Sequence, residues 1–178
     1  GFSDHTAWGY YAALFGFLLT TTQSAVVISI AMRLARNNWR RPVSRASELF
    51  ALAGIFNLLV FIPMIMILPA DEGRKSLWFE WPQGGPHFWD TVSFATLVFC
   101  GLGLLYVSSL PDLAVIRDRA AGWRQTLAKI LTPFWRGTQK QWLIMNIGLG
   151  VLGALYFISL IFNHTMISSD MAMSLVPG

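Results

Sequence analysis

QWLIMNIGLGVLGALYFISLIFN, residues Gln141–Asn163, contains no Lys, Arg, His, Asp or Glu. A helix needs about 20 apolar residues to cross a hydrocarbon core ~30 Å thick. This stretch meets that length and is too long for an ordinary strand. In lipid the backbone must satisfy its own hydrogen bonds, so the stretch is predicted to be a transmembrane helix.

Three more tracts pass the same test. They run from Thr6 to Met32, from Leu49 to Ala70 and from Thr91 to Pro111. The predicted fold is therefore all-α: an integral membrane bundle with four spans (6–32, 49–70, 91–111 and 141–163) in one membrane domain, 1–178, expected to belong to a larger bundle. The composition agrees, with 54% hydrophobic and only 12% charged residues, against roughly 25% charged in soluble domains.

The charges gather between the spans. Loop 33–48 holds Arg33, Arg36, Arg40, Arg41 and Arg45; loop 112–140 holds Arg117, Arg119, Arg124, Lys129, Arg136 and Lys140. These are all but two of the 13 basic residues. Positive residues stay on the cytoplasmic side, so both basic loops are predicted inside, and loop 71–90 and both chain ends outside. The net charge of +4 thus reports topology and does not call for nucleic acid. The inner loop from Arg117 to Lys140 mixes its basic residues with Trp123, Leu127, Ile130, Leu131 and Phe134, a composition suited to a helix lying on the membrane.

This orientation collects every histidine on the outer side. Asp4 and His5 precede span one, His87 and Asp90 precede span three, and His164 and Asp170 follow span four. Polar residues are ordinary at span ends, but titratable groups at a membrane boundary are also candidates for function. Quinol oxidation releases two protons as two electrons leave. It needs an apolar slot, hydrogen-bond partners for the head group and an acceptor such as His or Asp. Loop 71–90 adds Trp78, Phe79, Trp81, Phe88 and Trp89, either as an interfacial belt or as the lining for a flat apolar ligand.

Redox centres are not expected in the chain itself. No span contains an internal histidine for a haem, and Cys100 is the sole cysteine, too few for an iron–sulfur cluster or a thiolate metal site. Inside the spans, Thr20–Ser24, Asn57, Ser93, Thr96 and Asn146 either line a proton path or join helices by hydrogen bonds. Glu48 is either a proton entry point or the partner of Arg45 in a local ion pair. Pro63 is predicted to kink span two and open space in its outer half. Glycines 101, 103, 148, 150 and 153, with a Gly150/Ala154 small-xxx-small pair, are predicted to serve close packing.

Three ordered stretches carry a family resemblance. They are Trp39–Glu48 (WRRPVSRASE), then Phe88-Trp89-Asp90 with Leu110–Ala114 and Ile116–Ala120 downstream, and then His164 through Asp170 to Gly178. Together they resemble the NrfD-like family, the polysulfide-reductase membrane subunits, and within it the quinol-oxidising membrane subunit of alternative complex III. The resemblance implies a cofactor-free helix bundle in a bacterial inner membrane, with quinone or menaquinone as substrate. Its implied partners are an iron–sulfur protein on the outer face, a multihaem c-type cytochrome and other membrane subunits.

By position it implies Asp90, His164 and Asp170 as the polar groups of the quinol pocket; His87 and Trp89 are quinone-binding candidates from the reading of the outer residues. It implies Glu48 as a proton-moving acid; Thr22, Gln23 and Asn57 are candidates for the path by residue type alone. The family carries a histidine at the outer end of the second span, where this chain reads Phe61–Pro69 without one. Either His87 takes that place or the quinone site is altered. Two competing expectations are a structural or proton-conducting subunit without a quinone site, and a small solute transporter using Thr20–Ser24.

Overall fold

The computed structural model describes residues 5–34, 40–67 and 86–174, with side chains described in 10–33 (Ala12 apart), 42–63 and 91–165. Among the described residues every regular element is a helix, and short non-helical connections occupy 120–122 and 132–138. Its helices are α1 (His5–Leu34), α2 (Arg40–Leu49), α3 (Ala53–Ile67), α4 (Pro86–Arg119), α5 (Trp123–Leu131) and α6 (Gln139–Ser174). A 3-10 turn, Phe50–Leu52, joins α2 to α3. Four segments are long and apolar enough to cross a membrane: Ala13–Arg33, Pro42–Pro63, Thr91–Arg119 and Gln139–Thr165.

The helices outrun the predicted spans. Loop 33–48 is already helical from Arg40, loop 71–90 from Pro86, and α4 continues through the start of loop 112–140 to Arg119. Beyond Asn163, α6 continues to Ser174, so His164 and Asp170 lie on a continuing helix. The physical reason is simple. A charge-free tract ends at the first ionisable residue, whereas a helix does not, because Arg and Glu are good helix formers. At 1.5 Å per residue, the 36 residues of α6 extend to about 54 Å, well past the hydrocarbon.

The bundle is apolar outside, and its largely apolar interior also holds buried polar groups. Leu14, Phe17, Ile28, Phe56, Leu59, Phe99, Ile147, Val151 and Ile158 are exposed, while Gln23, Glu48, Asn57, Ser108 and Asn163 are buried. A water-soluble fold would reverse this arrangement. In lipid it is the stable one, because polar groups find partners only in the interior. The four-span architecture therefore rests on packing as well as on length, and the chain is a multi-pass membrane protein.

α4 and α6 form the most extensive pair, and α1 packs against α2, α3 and α6. Contacts between Ser93 and Asn163, Gly101 and Tyr156, and Gly103 and Leu152 fix α4 and α6 in one antiparallel register. Gly101 eases that approach: a Cβ would lie 3.0 Å from Tyr156 Cε2. Gly153 admits Ile30 of α1. Gly148 and Gly150 do not behave as predicted, because a Cβ at either meets nothing within 4 Å. The Gly150/Ala154 pair lies on the exposed face of α6 and packs no helix among the described residues.

Pro63 lies inside α3, and two residues before it Phe61 packs with Phe15 and Phe94, ring centroids 4.6–5.6 Å apart. Proline removes one backbone donor from the helix ladder. One position beyond the carbonyl left without it, the Val60 carbonyl accepts a hydrogen bond from the Tyr11 hydroxyl at 2.6 Å.

Candidate functional site: a polar interior on three levels

The polar groups of the interior fall on three levels. At the basic end, Glu48 on α2 is 1% exposed. Its carboxylate accepts hydrogen bonds from the Arg33 guanidinium on α1, from Arg45 at 3.0 Å and from the Ser108 hydroxyl on α4 at 2.5 Å. Arg45 also donates to the Ser108 hydroxyl at 2.8 Å and to its carbonyl at 2.7 Å, and it pairs with Asp112 at 2.7 Å.

Three helices are thus locked around one buried carboxylate. The local Arg45–Glu48 pair of the sequence reading is present, but it is a fraction of the network. Arg33, Ser108 and Asp112 were not singled out. Arg33 and Asp112 had a visible signal, since each borders a charge-free tract. Ser108 had none.

Next to this level, the Ser47 hydroxyl donates to the Ala25 carbonyl and that of Ser29 to the Val26 carbonyl at 2.9 Å. The Ser44 hydroxyl is buried without a partner among the described residues.

At mid-depth, Gln23, Asn57 and Tyr156 are fully buried. The Thr22 hydroxyl donates to the Leu18 carbonyl at 2.6 Å. Its oxygen accepts from the amides of Gln23 at 3.2 Å and Asn57 at 2.9 Å. The Tyr156 hydroxyl lies 2.7 Å from the Gln23 carbonyl and 3.1 Å from its side-chain oxygen. Asn57 Oδ1 is buried without a hydrogen-bond partner among the described residues.

Three of the four predicted path residues therefore meet, around a tyrosine that the sequence reading missed. A phenol in the middle of an otherwise apolar span was the available signal. Helical spacing splits the Thr20–Ser24 stretch: Thr20 and Thr21 turn outward and Gln23 inward. Glu48 does not join this cluster directly. Nine residues, roughly 14 Å of helix rise, separate it from Asn57.

The third level is at the opposite end. The Asn163 amide donates to the Ser93 hydroxyl at 3.0 Å and to the Ser159 carbonyl at 2.7 Å. Half-buried His164 has Nδ1 2.9 Å from the Leu160 carbonyl. A carbonyl can only accept, so in this contact Nδ1 carries the hydrogen.

No protein-family model matches this chain, and no curated protein does either. Geometry alone locates the remaining predicted residues. His87, Trp89 and Asp90 lie in the first turns of α4 and Asp170 in the last turns of α6; their side chains are outside the described residues. Continued beyond Ser93–Asn163, the antiparallel register sets residues 86–90 level with 166–170. The two helix ends that carry these residues thus share one end of the bundle with His164. Asp4 and the aromatics Trp78, Phe79 and Trp81 fall outside the described residues.

Proposed function

We propose that this chain is the proton-handling, quinol-interacting membrane subunit of a respiratory or photosynthetic electron-transfer complex in a bacterial cytoplasmic membrane. The observation that carries the reading is the three-level polar interior inside an apolar exterior. Ionisable and amide groups are costly within a bilayer and are retained where they move charge. Here they extend from Glu48, through Thr22, Gln23, Asn57 and Tyr156, to Asn163 and His164.

At the far end, His164 and the carboxylates of Asp90 and Asp170 are the acceptors for the two protons a quinol releases. Their shared level on α4 and α6 supports that assignment. The two electrons leave for the iron–sulfur partner and then the c-type cytochrome that the resemblance implies. Asn57 Oδ1, a buried acceptor with capacity to spare, supports mid-depth as a point where a mobile donor is held.

The test uses the intact complex in sealed vesicles with a pH-reporting dye. Glu48→Gln is expected to slow proton movement linked to quinol oxidation on the order of 100-fold. Ser108→Ala, in the same network but with the acid retained, is expected to stay near the parent rate. Equal effects from both variants in an assembled complex would defeat the reading.

One observation favours a second reading, a subunit whose polar interior only joins helices. The Glu48 charge is already matched by two guanidinium groups, as a structural cross-link requires. That reading predicts unchanged quinol oxidation in Asp90→Asn and Asp170→Asn.

A further inference from the structure

α5 is amphipathic, and its apolar stripe points away from the protein. On a helical wheel Trp123, Leu127 and Ile130 share one face, and the face toward the bundle carries Gln125 and Ala128. Ala128 is buried, while Trp123 and Ile130 are each 70% exposed and Phe134, just beyond the helix, is 84% exposed.

This orientation is firmly held. Gly122 and Gly137, at φ +72° and +70°, turn the chain before and after the helix in the left-handed region that favours glycine. Arg117 donates to the Thr132 and Trp135 carbonyls at 2.9 Å each, and the Gln125 amide donates to the Arg117 carbonyl at 3.2 Å. The Gln141 amide donates to the Phe134 carbonyl at 2.6 Å. The Tyr106 hydroxyl donates to the Leu131 carbonyl at 2.7 Å. Since Tyr106 belongs to the candidate span Thr91–Arg119, that bond ties the end of α5 to the span.

Basic side chains flank the stripe. Arg124 lies over the Trp123 ring at 5.6 Å. Arg119, Arg124, Lys129, Arg136 and Lys140 are exposed and ion-paired to no described residue. The nearby acid Asp118 is engaged by Arg117. An apolar stripe edged by unpaired cations is complementary to an anionic lipid surface.

We propose that α5 and Phe134 form a binding surface for anionic phospholipid. The rings and Ile130 enter the acyl boundary, and Arg124, Lys129 and Arg136 hold the phosphates. The proposal stands apart from the quinol reading.

The test places a fluorophore on Ile130→Cys in a Cys100→Ala background. The full chain is reconstituted in phosphatidylcholine nanodiscs containing about 20 mol% phosphatidylglycerol, enough to give a negative surface. Bromine quenchers are carried on the acyl chains of one lipid or the other, at equal mole fraction. Brominated phosphatidylglycerol is expected to quench about twofold more than brominated phosphatidylcholine. The combined variant Arg124→Gln, Lys129→Gln, Arg136→Gln is expected to abolish the difference while quenching persists. Salt at about 0.5 M is expected to shrink it in the unsubstituted surface, which decides the matter without relying on the variant's folding. Equal quenching by the two lipids would overturn headgroup recognition. No quenching by either, as when water or a protein partner covers the face, would overturn the membrane contact itself.

Discussion

Replacing Glu48 by Gln keeps the side chain's shape and removes its charge. In the parent protein that carboxylate accepts from Arg33, Arg45 and Ser108 while only 1% exposed. The amide that replaces it has one acceptor and directs an NH2 group toward guanidinium donors. Breaking a buried ion pair by removing one partner costs about 3–5 kcal/mol. Two features reduce that here. The Arg33 and Arg45 side chains are 28% and 36% exposed, and Arg45 keeps Asp112 at 2.7 Å. The expected loss is therefore about 2–3 kcal/mol. Asp112→Asn, whose carboxylate is 62% exposed, is expected to cost less than about 1 kcal/mol. The assay is reversible unfolding in mixed micelles, with a double-mutant cycle of Arg33→Gln and Glu48→Gln. A coupling energy below about 0.5 kcal/mol would refute the network as the lock between α1 and α2.

Other substitutions test other levels of the interior. Gly101→Ala drives a methyl to 3.0 Å from Tyr156 Cε2 and is expected to cost about 1–3 kcal/mol by overpacking; Gly150→Ala, with open space around it, is expected to be neutral or slightly stabilising in the same unfolding assay. Tyr156→Phe removes the contacts to Gln23 at an expected cost of about 0.6–1.7 kcal/mol. Asn57→Leu gives up the bond to Thr22 but also an unpartnered acceptor, so stability is expected to stay within about 1 kcal/mol while proton movement in the vesicle assay falls. Arg117→Met frees the carbonyls of Thr132 and Trp135. Hydrogen exchange across residues 123–136 is expected to accelerate, with α4 and α6 unchanged.

The spans were legible because hydropathy and length decide a membrane helix almost alone. The three-level interior was legible only by residue type. Thr22, Gln23 and Asn57 stood out as polar residues in apolar tracts, but no local pattern places Tyr156 of α6 against Gln23 of α1. That contact is eased by Gly101, which lets the Tyr156 ring approach α4, and such a long-range fit has no signature in either segment. The helix expected within loop 112–140 is present as α5, but the two left-handed glycines and the Arg117 staple that orient it have no signature in charge patterning. The small-xxx-small pair failed because spacing says which residues share a face, not whether another helix covers it.

The division of labour among the charged groups follows from where water ends. Arg33 and Arg45 remain partly exposed, so each keeps some hydration while reaching inward to a carboxylate that has none. Past Glu48 the described interior uses only neutral donors and acceptors: serine hydroxyls, the amides of Gln23 and Asn57, and the Tyr156 phenol. Full charges there would each need a partner at the same depth, whereas neutral groups bond one another and leave single positions, such as Asn57 Oδ1, to spare. A bundle held together only by polar contacts would have no use for an unmatched acceptor at its most buried level. For that reason Asn57→Leu separates the two readings better than Glu48→Gln. It leaves the charged lock in place and removes the spare acceptor, at the cost of one bond from α3 to Thr22.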